Sequence, residues 1–168
     1  MAQRKELLTW EEVEGLVDHL VPQFETEFQA MVMITRGGIV PGGLLCEALA
    51  IENVLTAAVD FPTEAEQQRA KLLAWPQFIQ FPDDSQLVGR AVLVVDDVWG
   101  SGRTITAVKN RVTAAGAIVR TCVFHFNPHR SLFTQAKPDY YAAITDARII
   151  YPWEAPRGVD KVLLDEPG

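Results

Sequence analysis

Residues 92–104 of this chain read Val92-Leu93-Val94-Val95-Asp96-Asp97-Val98-Trp99-Gly100-Ser101-Gly102-Arg103-Thr104. The four apolar residues predict a buried strand of a parallel sheet. Two adjacent carboxylates follow at the carboxyl end of that strand, where open α/β sheets bind their ligands. The loop of small residues then opens a helix at Thr104, and such a loop presents backbone N–H groups to an anion. Because carboxylates beside an anion loop can bind hydroxyl groups or Mg²⁺, the run predicts a sugar phosphate as ligand.

Around this run, apolar strand-like segments alternate with helical patterns. Strands are predicted at 31–34, 54–59, 91–95, 118–126 and 140–144. One helix is predicted after the capping-box pair Thr9 and Glu12, a second over 41–49, and a third from 105 to a stop at Gly116. This alternation predicts an α/β fold: a single doubly wound, mostly parallel five-stranded sheet with helices on both faces.

The whole chain, 1–168, is predicted to form one domain. Two segments do not follow the alternation. Residues 61–90 contain Pro62, Pro76 and Pro82 among several charges, and because connections of such length are often functional we expect a lid or variable insertion there. Residues 128–168 contain too few apolar runs for a separate domain, and we expect them to form a small hood and tail over the sheet.

Composition and net charge limit the classes of partner and ligand that the chain is expected to bind. No run approaches 18 apolar residues and the first eight residues lack the apolar segment of a secretory signal, so we expect no membrane partner and a cytoplasmic location. Cys46 and Cys122 fall in apolar segments and are expected to be buried thiols. The net charge of −7 argues against nucleic acid as a partner. An anionic small ligand would therefore need local amides, Arg side chains and Mg²⁺ to supply positive charge.

A second glycine-containing loop, Thr35-Arg36-Gly37-Gly38, follows the 31–34 strand. Its glycines allow a ligand to approach the backbone closely, and the Arg36 guanidinium suits phosphate oxygens. Taken alone, this loop is equally well interpreted as a tight turn. Two anion loops at neighbouring strand ends, however, suit a ligand with phosphates at both of its ends.

The 92–104 run resembles the 5-phosphoribosyl-1-pyrophosphate (PRPP) signature of type I phosphoribosyltransferases. Residues 34–43 resemble the pyrophosphate loop of the xanthine-guanine (6-oxopurine) members, and 137–140 and 151–154 are similar to their base-binding hood. The resemblance implies the type I phosphoribosyltransferase fold and PRPP-dependent phosphoribosyl transfer to a nitrogen of a purine-like base, with release of pyrophosphate. It also implies Mg²⁺ as cofactor, a nucleobase or nucleotide as the other ligand, and a homodimer or homotetramer.

The resemblance also implies roles for individual residues. Asp96 and Asp97 are expected to hold the ribose hydroxyls, or Mg²⁺ through water, and Arg36 is expected to act with them as a catalytic residue on the leaving pyrophosphate. The residues expected to bind PRPP and its phosphates are Thr35, Arg36, Gly37, Gly38, Val98, Trp99, Gly100, Ser101, Gly102, Arg103 and Thr104. Those expected at the base are Asn127, Arg148 and Ile149.

Three departures from the 6-oxopurine pattern concern the base. Gly100 stands where an Asp usually faces the purine N7, and Asn127 where a Lys usually contacts O6. The residues at 60–63 replace a Ser-Tyr pair of the lid. Guanine or xanthine therefore does not follow as the acceptor.

An alternative is a PRPP- or nucleotide-sensing regulator of the same fold with little transferase activity. The Gly102-Arg103-Thr104 ending also resembles the pyrimidine-operon attenuation regulators, but those need a basic face for RNA and this chain is acidic.

Overall fold

The computed structural model describes residues 3–61 and 76–155. The elements of the first part are β1 (Lys5–Leu7), α1 (Trp10–Leu20), β2 (Ala30–Ile34), α2 (Ile39–Ala48) and β3 (Val54–Asp60). Those of the second part are β4 (Gln77–Gln80), β5 (Ala91–Trp99), α3 (Arg103–Ala114), β6 (Ile118–Phe126), β7 (Tyr140–Ile144) and β8 (Arg148–Ile150). Short 3₁₀ turns cover Val21–Gln23 and Asp84–Gln86.

The main sheet has the strand order β4-β3-β2-β5-β6-β7. All its neighbouring pairs are parallel except β3 and β4, which are antiparallel. Strands β1 and β8 pair in parallel as a separate two-stranded sheet. The predicted α/β class with a mostly parallel sheet is confirmed.

The predicted number of five strands in that sheet is wrong, because β4 adds a sixth at the edge. It lies inside the segment expected to be a lid, and its sequence, Gln-Phe-Ile-Gln, is too short and too polar to be recognised as a strand. The remaining part of the predicted lid at 62–75, and the predicted tail at 156–168, lie outside the described residues.

Apolar clusters on both faces of the sheet explain the uninterrupted apolar run of β5. Alternate strand residues point to opposite faces, so Val92 and Val94 join the cluster under α3, while Leu93 and Val95 join the cluster under α1 and α2. All four side chains are fully buried. Burying one such side chain contributes about 1.5–3 kcal/mol, which makes this strand a main source of stability.

The helix boundaries follow the predicted local signals. At α1 the Glu12 N–H donates to Thr9 Oγ1 (3.2 Å) and the Thr9 N–H donates to Glu12 Oε2 (2.8 Å), so the predicted capping box is confirmed. Helix α2 begins at Ile39, two residues before the predicted start. After α3, Gly116 has a φ of 92°, the left-handed conformation that ends a helix. Within residues 3–61 and 76–155, no helix combines the length and apolar character needed to cross a membrane.

Strand β5 is longer than predicted because β6 continues to pair with it. The register runs from Ala91 opposite Ile118 to Trp99 opposite Phe126, so Asp96 and Asp97 lie inside the strand and not after it. On the other side β2 ends at Ile34, and its last partner in β5 is Val95. The two acids therefore have a strand neighbour on one side only, and the other side is open to the loop after β2.

Thr9→Ala should lower the free energy of unfolding by about 1 kcal/mol, because the side-chain oxygen that caps α1 is lost. Urea titration followed by circular dichroism measures this change. Thr134→Ala, at an exposed loop threonine, is the control and should leave the midpoint unchanged. Equal midpoints for the two variants would contradict a stabilising role for the capping box.

Candidate functional site

The loop after β2 packs directly against the acid pair, and the second predicted anion loop follows that pair along the chain. A Cβ added to Gly37 would lie 2.6 Å from Asp97 Oδ1 and 2.8 Å from Asp96 Oδ1. A Cβ added to Gly38 would collide with the backbone carbonyls of Val95 and Ile34. The backbone of the loop after β2 is therefore packed directly on the carboxylates of β5, and these glycines leave no room for a side chain.

Both carboxylates fold back onto the strand that carries them. The Asp97 N–H donates to Asp96 Oδ1 at 2.9 Å, and the Val98 N–H donates to Asp97 Oδ1 at 2.7 Å. Burial, followed by repulsion from Asp97, raises the pKa of Asp96 well above its usual value.

Among the described residues, no basic side chain forms an ion pair with either acid. Within 3–61 and 76–155 the ion pairs are Arg4 with Asp146 and Arg111 with Asp84, both away from the acid pair. The same ranges hold no cluster of three or more His, Cys, Asp or Glu side chains that could bind a metal alone. A cation shared between these carboxylates and a ligand would fit the arrangement, because Mg²⁺ commonly uses one or two carboxylates together with phosphate oxygens and water.

The loop from Gly100 to Thr104 forms the start of α3. Gly102 is the N-cap with a φ of 82°, and in the described chain no side chain caps this helix. The Arg103 N–H donates to Ser101 Oγ at 3.3 Å. The next amides of the first turn point out of the N-terminal end of the helix, where a phosphate is favoured. The Arg103 guanidinium lies 4.3 Å from the centre of the Phe61 ring, at the start of the predicted lid.

Trp99 supports this loop from below. Its indole is 3% exposed, packs on Phe126 and Phe133, and donates its N–H to Ser131 Oγ at 3.1 Å. A Cβ added to Gly102 would collide with the indole. Any contact of Trp99 with a phosphate is therefore made by its backbone. Val98 likewise packs its side chain against the cluster under α1 and α2.

The loop after β2 has one anchored and one free residue. The Thr35 N–H donates to the Ala57 carbonyl at 2.9 Å, which ties the loop to β3. The peptide bond between Thr35 and Arg36 is cis. Arg36 itself is exposed and available to approach an anion.

The residues expected at the base occupy different environments. Asn127 is 2% exposed, and its Oδ1 accepts the N–H groups of His129 (3.2 Å) and Arg130 (3.3 Å). Only its side-chain NH₂ is left for a ligand. Arg148 is exposed on β8, whereas Ile149 is 7% exposed and belongs to the core cluster under α1 and α2. The structure thus leaves Arg148 available and commits Ile149 to the core.

Tyr151 contacts the backbone of the acid pair, and His125 contacts Tyr151. The Tyr151 hydroxyl donates to the Asp97 carbonyl at 3.1 Å and lies 2.7 Å from His125 Nδ1. Both side chains are buried, and burial lowers the pKa of His125 to about 4. Sequence reasoning missed them because Tyr151 and Asp97 are 54 positions apart. The only sequence indication is the similarity of 151–154 to a base-binding hood.

Comparisons with known proteins agree with this geometry. A family model described as "Phosphoribosyl transferase domain" matches residues 3–154. A xanthine-guanine phosphoribosyltransferase from Cereibacter sphaeroides is 35% identical over 82 residues, which are 49% of this chain and 46% of the relative. The match thus spans about half the length of that curated relative.

Solved structures match over more of the chain. A purine phosphoribosyltransferase from Pyrococcus horikoshii superposes with a TM-score of 0.76 at 25% identity, covering 92% of this chain and 97% of the other. A xanthine-guanine-hypoxanthine phosphoribosyltransferase from Helicobacter pylori gives 0.75 at 18% identity, covering 96% and 98%, and shows likeness of fold alone.

Burial of His125 predicts a pH-dependent contribution to stability. Because its folded pKa of about 4 lies below the usual 6.5, the contribution is complete above pH 6.5 and is lost as the pH falls towards 4. Between pH 8 and pH 5 the loss should be about 2 kcal/mol. Urea unfolding of the unmodified protein and of His125→Asn at both pH values measures it, since subtracting the variant removes the titration of Asp96 and other groups. A difference independent of pH would contradict the assignment.

Proposed function

Because the chain belongs to the phosphoribosyl transferase domain family, we propose that it transfers a phosphoribosyl group from PRPP to a nitrogen of a purine-like base and releases pyrophosphate. The observation that carries the proposal is the packing of Gly37 against both acids, with an anion loop on each side. PRPP carries a ribose diol between its two phosphate groups. The diol corresponds to the acid pair, and the phosphate groups correspond to the two predicted anion loops. The similarity to named xanthine-guanine and purine phosphoribosyltransferases supports the same donor.

In this proposal each part of the site binds one part of PRPP. The amides at the start of α3, with the Ser101 and Thr104 hydroxyls, hold the 5′-phosphate. Asp96 and Asp97 hold the ribose hydroxyls, and Arg36 with the Gly37 amide holds the pyrophosphate. As the bond between C1 and the pyrophosphate oxygen breaks, positive charge develops on the sugar and negative charge on the leaving group. Carboxylates on one side and donors on the other stabilise that separation, so catalysis is mainly positioning and electrostatic stabilisation.

We propose that Mg²⁺ assists, held by Asp96 and Asp97 through water or through the ribose hydroxyls. The ion would neutralise charge on the pyrophosphate. Support comes from the carboxylates themselves: they are adjacent, half-buried and without a basic partner among the described residues. The net charge of −7 makes this help more important, because the surface as a whole repels an anion.

The acceptor is expected to differ from that of typical 6-oxopurine enzymes. Gly100 provides no carboxylate for the base, and Asn127 has its side-chain oxygen committed to the turn at 128–130. A screen of nucleobases with PRPP and Mg²⁺, followed by pyrophosphate release, tests the proposed function and identifies the acceptor. Turnover of no base by a protein that still binds PRPP would favour the sensing regulator over the transferase.

Asp97→Asn should weaken PRPP binding by roughly tenfold to a hundredfold, the usual cost of replacing a charge-assisted hydrogen bond. The amide oxygen can still accept the Val98 N–H, so the fold should be retained. Titration calorimetry with PRPP and MgCl₂ measures the affinity. Asp18→Asn, at an exposed position of α1, is the matched control. An affinity equal to that of the control would remove Asp97 from the ribose site.

Gly100→Asp should raise transfer to hypoxanthine or guanine by roughly a hundredfold, the smaller end of what a positioned acid or base contributes. An added Cβ meets no atom within 4 Å and φ at Gly100 is not positive, so the side chain is accommodated without strain. Gly100→Asn has the same shape without the charge and should give no gain. If neither variant improves on the unmodified protein, the missing carboxylate does not limit 6-oxopurine transfer.

A further inference from the structure

Tyr151 connects the segment after β8 to the backbone of the acid pair. Its hydroxyl lies 3.1 Å from the Asp97 carbonyl oxygen and 2.7 Å from His125 Nδ1. Tyr151 is fully buried and His125 is 5% exposed, so water does not compete for these bonds. The tyrosine ring is fixed as well: it stacks on Trp153 with centroids 4.5 Å apart and planes at 5°.

The direction of the two hydrogen bonds follows from the groups themselves. A carbonyl only accepts, so the single hydroxyl proton of Tyr151 is donated to Asp97. The hydroxyl oxygen must then accept from His125, which requires a proton on Nδ1. Burial keeps His125 neutral at pH 7, with its pKa near 4, and a neutral imidazole carries one proton. His125 is therefore the Nδ1–H tautomer, and its Nε2 carries no proton.

The Asp97 carbonyl lies where the pairing of β5 with its neighbours is interrupted. Strand β6 pairs with β5 at Asp96 and at Val98, with no partner at Asp97. On the other side of β5, strand β2 has already ended. The Tyr151 hydroxyl adds a side-chain hydrogen bond to the backbone at this point of the strand.

The same peptide unit also holds the Asp97 carboxylate. Its carbonyl accepts from Tyr151, and its N–H, on Val98, donates to Asp97 Oδ1 at 2.7 Å. Rotation of this peptide plane would move both groups together. The hydroxyl at one end of the plane therefore fixes the direction of the carboxylate at the other end.

We infer that Tyr151, oriented by His125, is a positioning residue that holds the Asp97 carboxylate in place for the ribose of PRPP. The inference rests on the proposed function and adds to it a residue outside both anion loops. Neither side chain is required to touch the substrate. Their effect should appear in PRPP binding, since Asp97 contacts the sugar before and during transfer.

The first test is Tyr151→Phe, which removes the hydroxyl and keeps the stacked ring. We expect the dissociation constant of PRPP, measured by calorimetry with MgCl₂, to rise roughly tenfold, the usual cost of one lost buried hydrogen bond. With the best acceptor base, KM for PRPP should rise by a similar factor and kcat should change less. Tyr141→Phe removes a hydroxyl from β7 with its ring packed in the core, and should leave both constants unchanged.

The second test asks whether His125 acts through Tyr151. His125→Leu should weaken PRPP binding roughly threefold or more in the unmodified protein, as expected for one lost hydrogen bond. It should have no further effect in the Tyr151→Phe background. His125→Asn places an N–H close to the position of Nδ1 and should restore most of the affinity lost with leucine. Equal additive losses in both backgrounds, or no rescue by asparagine, would overturn the role of His125.

A spectroscopic readout separates positioning from a general effect on the fold. Nitrogen-15 NMR of the imidazole should show Nδ1 protonated and Nε2 bare at pH 7, and Tyr151→Phe should release this preference. The opposite tautomer in the unmodified protein would overturn the inference.

The calorimetry distinguishes a failure of the proposed function from a failure of the role assigned to Tyr151. If the unmodified protein binds no PRPP, the proposed function fails and this inference with it. If it binds PRPP and Tyr151→Phe binds as tightly as Tyr141→Phe, this inference alone fails. If Tyr151→Phe is unfolded by circular dichroism, the comparison of His125→Leu with His125→Asn decides the question.

Discussion

The contact between the Gly37 backbone and the paired carboxylates constrains everything around the site. Asp97 Oδ1 would be only 2.6 Å from any Cβ at Gly37, so the loop after β2 and the end of β5 can approach each other only through a glycine. That approach requires β2 to stop at Ile34 while β5 continues to Trp99. The different lengths of two neighbouring strands therefore create an open edge, and the apolar clusters on both faces hold that edge rigid.

At this edge of the sheet, the repulsion between the two carboxylates is not relieved by the described side chains. Two adjacent carboxylates repel each other, and burial adds to the cost of charging Asp96, which raises its pKa. Among the residues with described positions, neither of the ion pairs reaches them. Positive charge must come from the helix N-terminus, from Arg36 and from a cation carried with the ligand. Cation and sugar phosphate should therefore bind with mutual reinforcement, because each removes repulsion that opposes the other.

Local sequence predicts the parts of this molecule that depend on local interactions. The capping box at Thr9, the stop at Gly116 and the buried β5 strand each follow from residues a few positions apart, and all are found. The two glycine loops are predicted to share a ligand, and the structure shows one of them, the loop after β2, in contact with the acid pair. The sixth strand and the extension of β5 depend on pairing with distant segments, which residue patterns do not record. The link from Tyr151 to Asp97 spans 54 positions and uses a carbonyl, a group that every residue has, so no motif marks it.

Asn127, which differs from the lysine of the 6-oxopurine pattern, packs together with Trp99 and Ser131. Asn127 donates its N–H to the Trp99 carbonyl at 2.9 Å and caps the turn that carries Ser131, and Ser131 accepts the Trp99 indole N–H. Trp99 in turn lies under Gly102 of the phosphate loop. A lysine at 127 would lose the two capping hydrogen bonds, and a smaller residue at 99 would leave a cavity beneath the loop. Unlike Gly100, which stands in open space, these positions cannot be exchanged one at a time without disturbing the phosphate site. If these residues bind the base and the phosphate as proposed, acceptor specificity and phosphate binding are coupled through their shared packing.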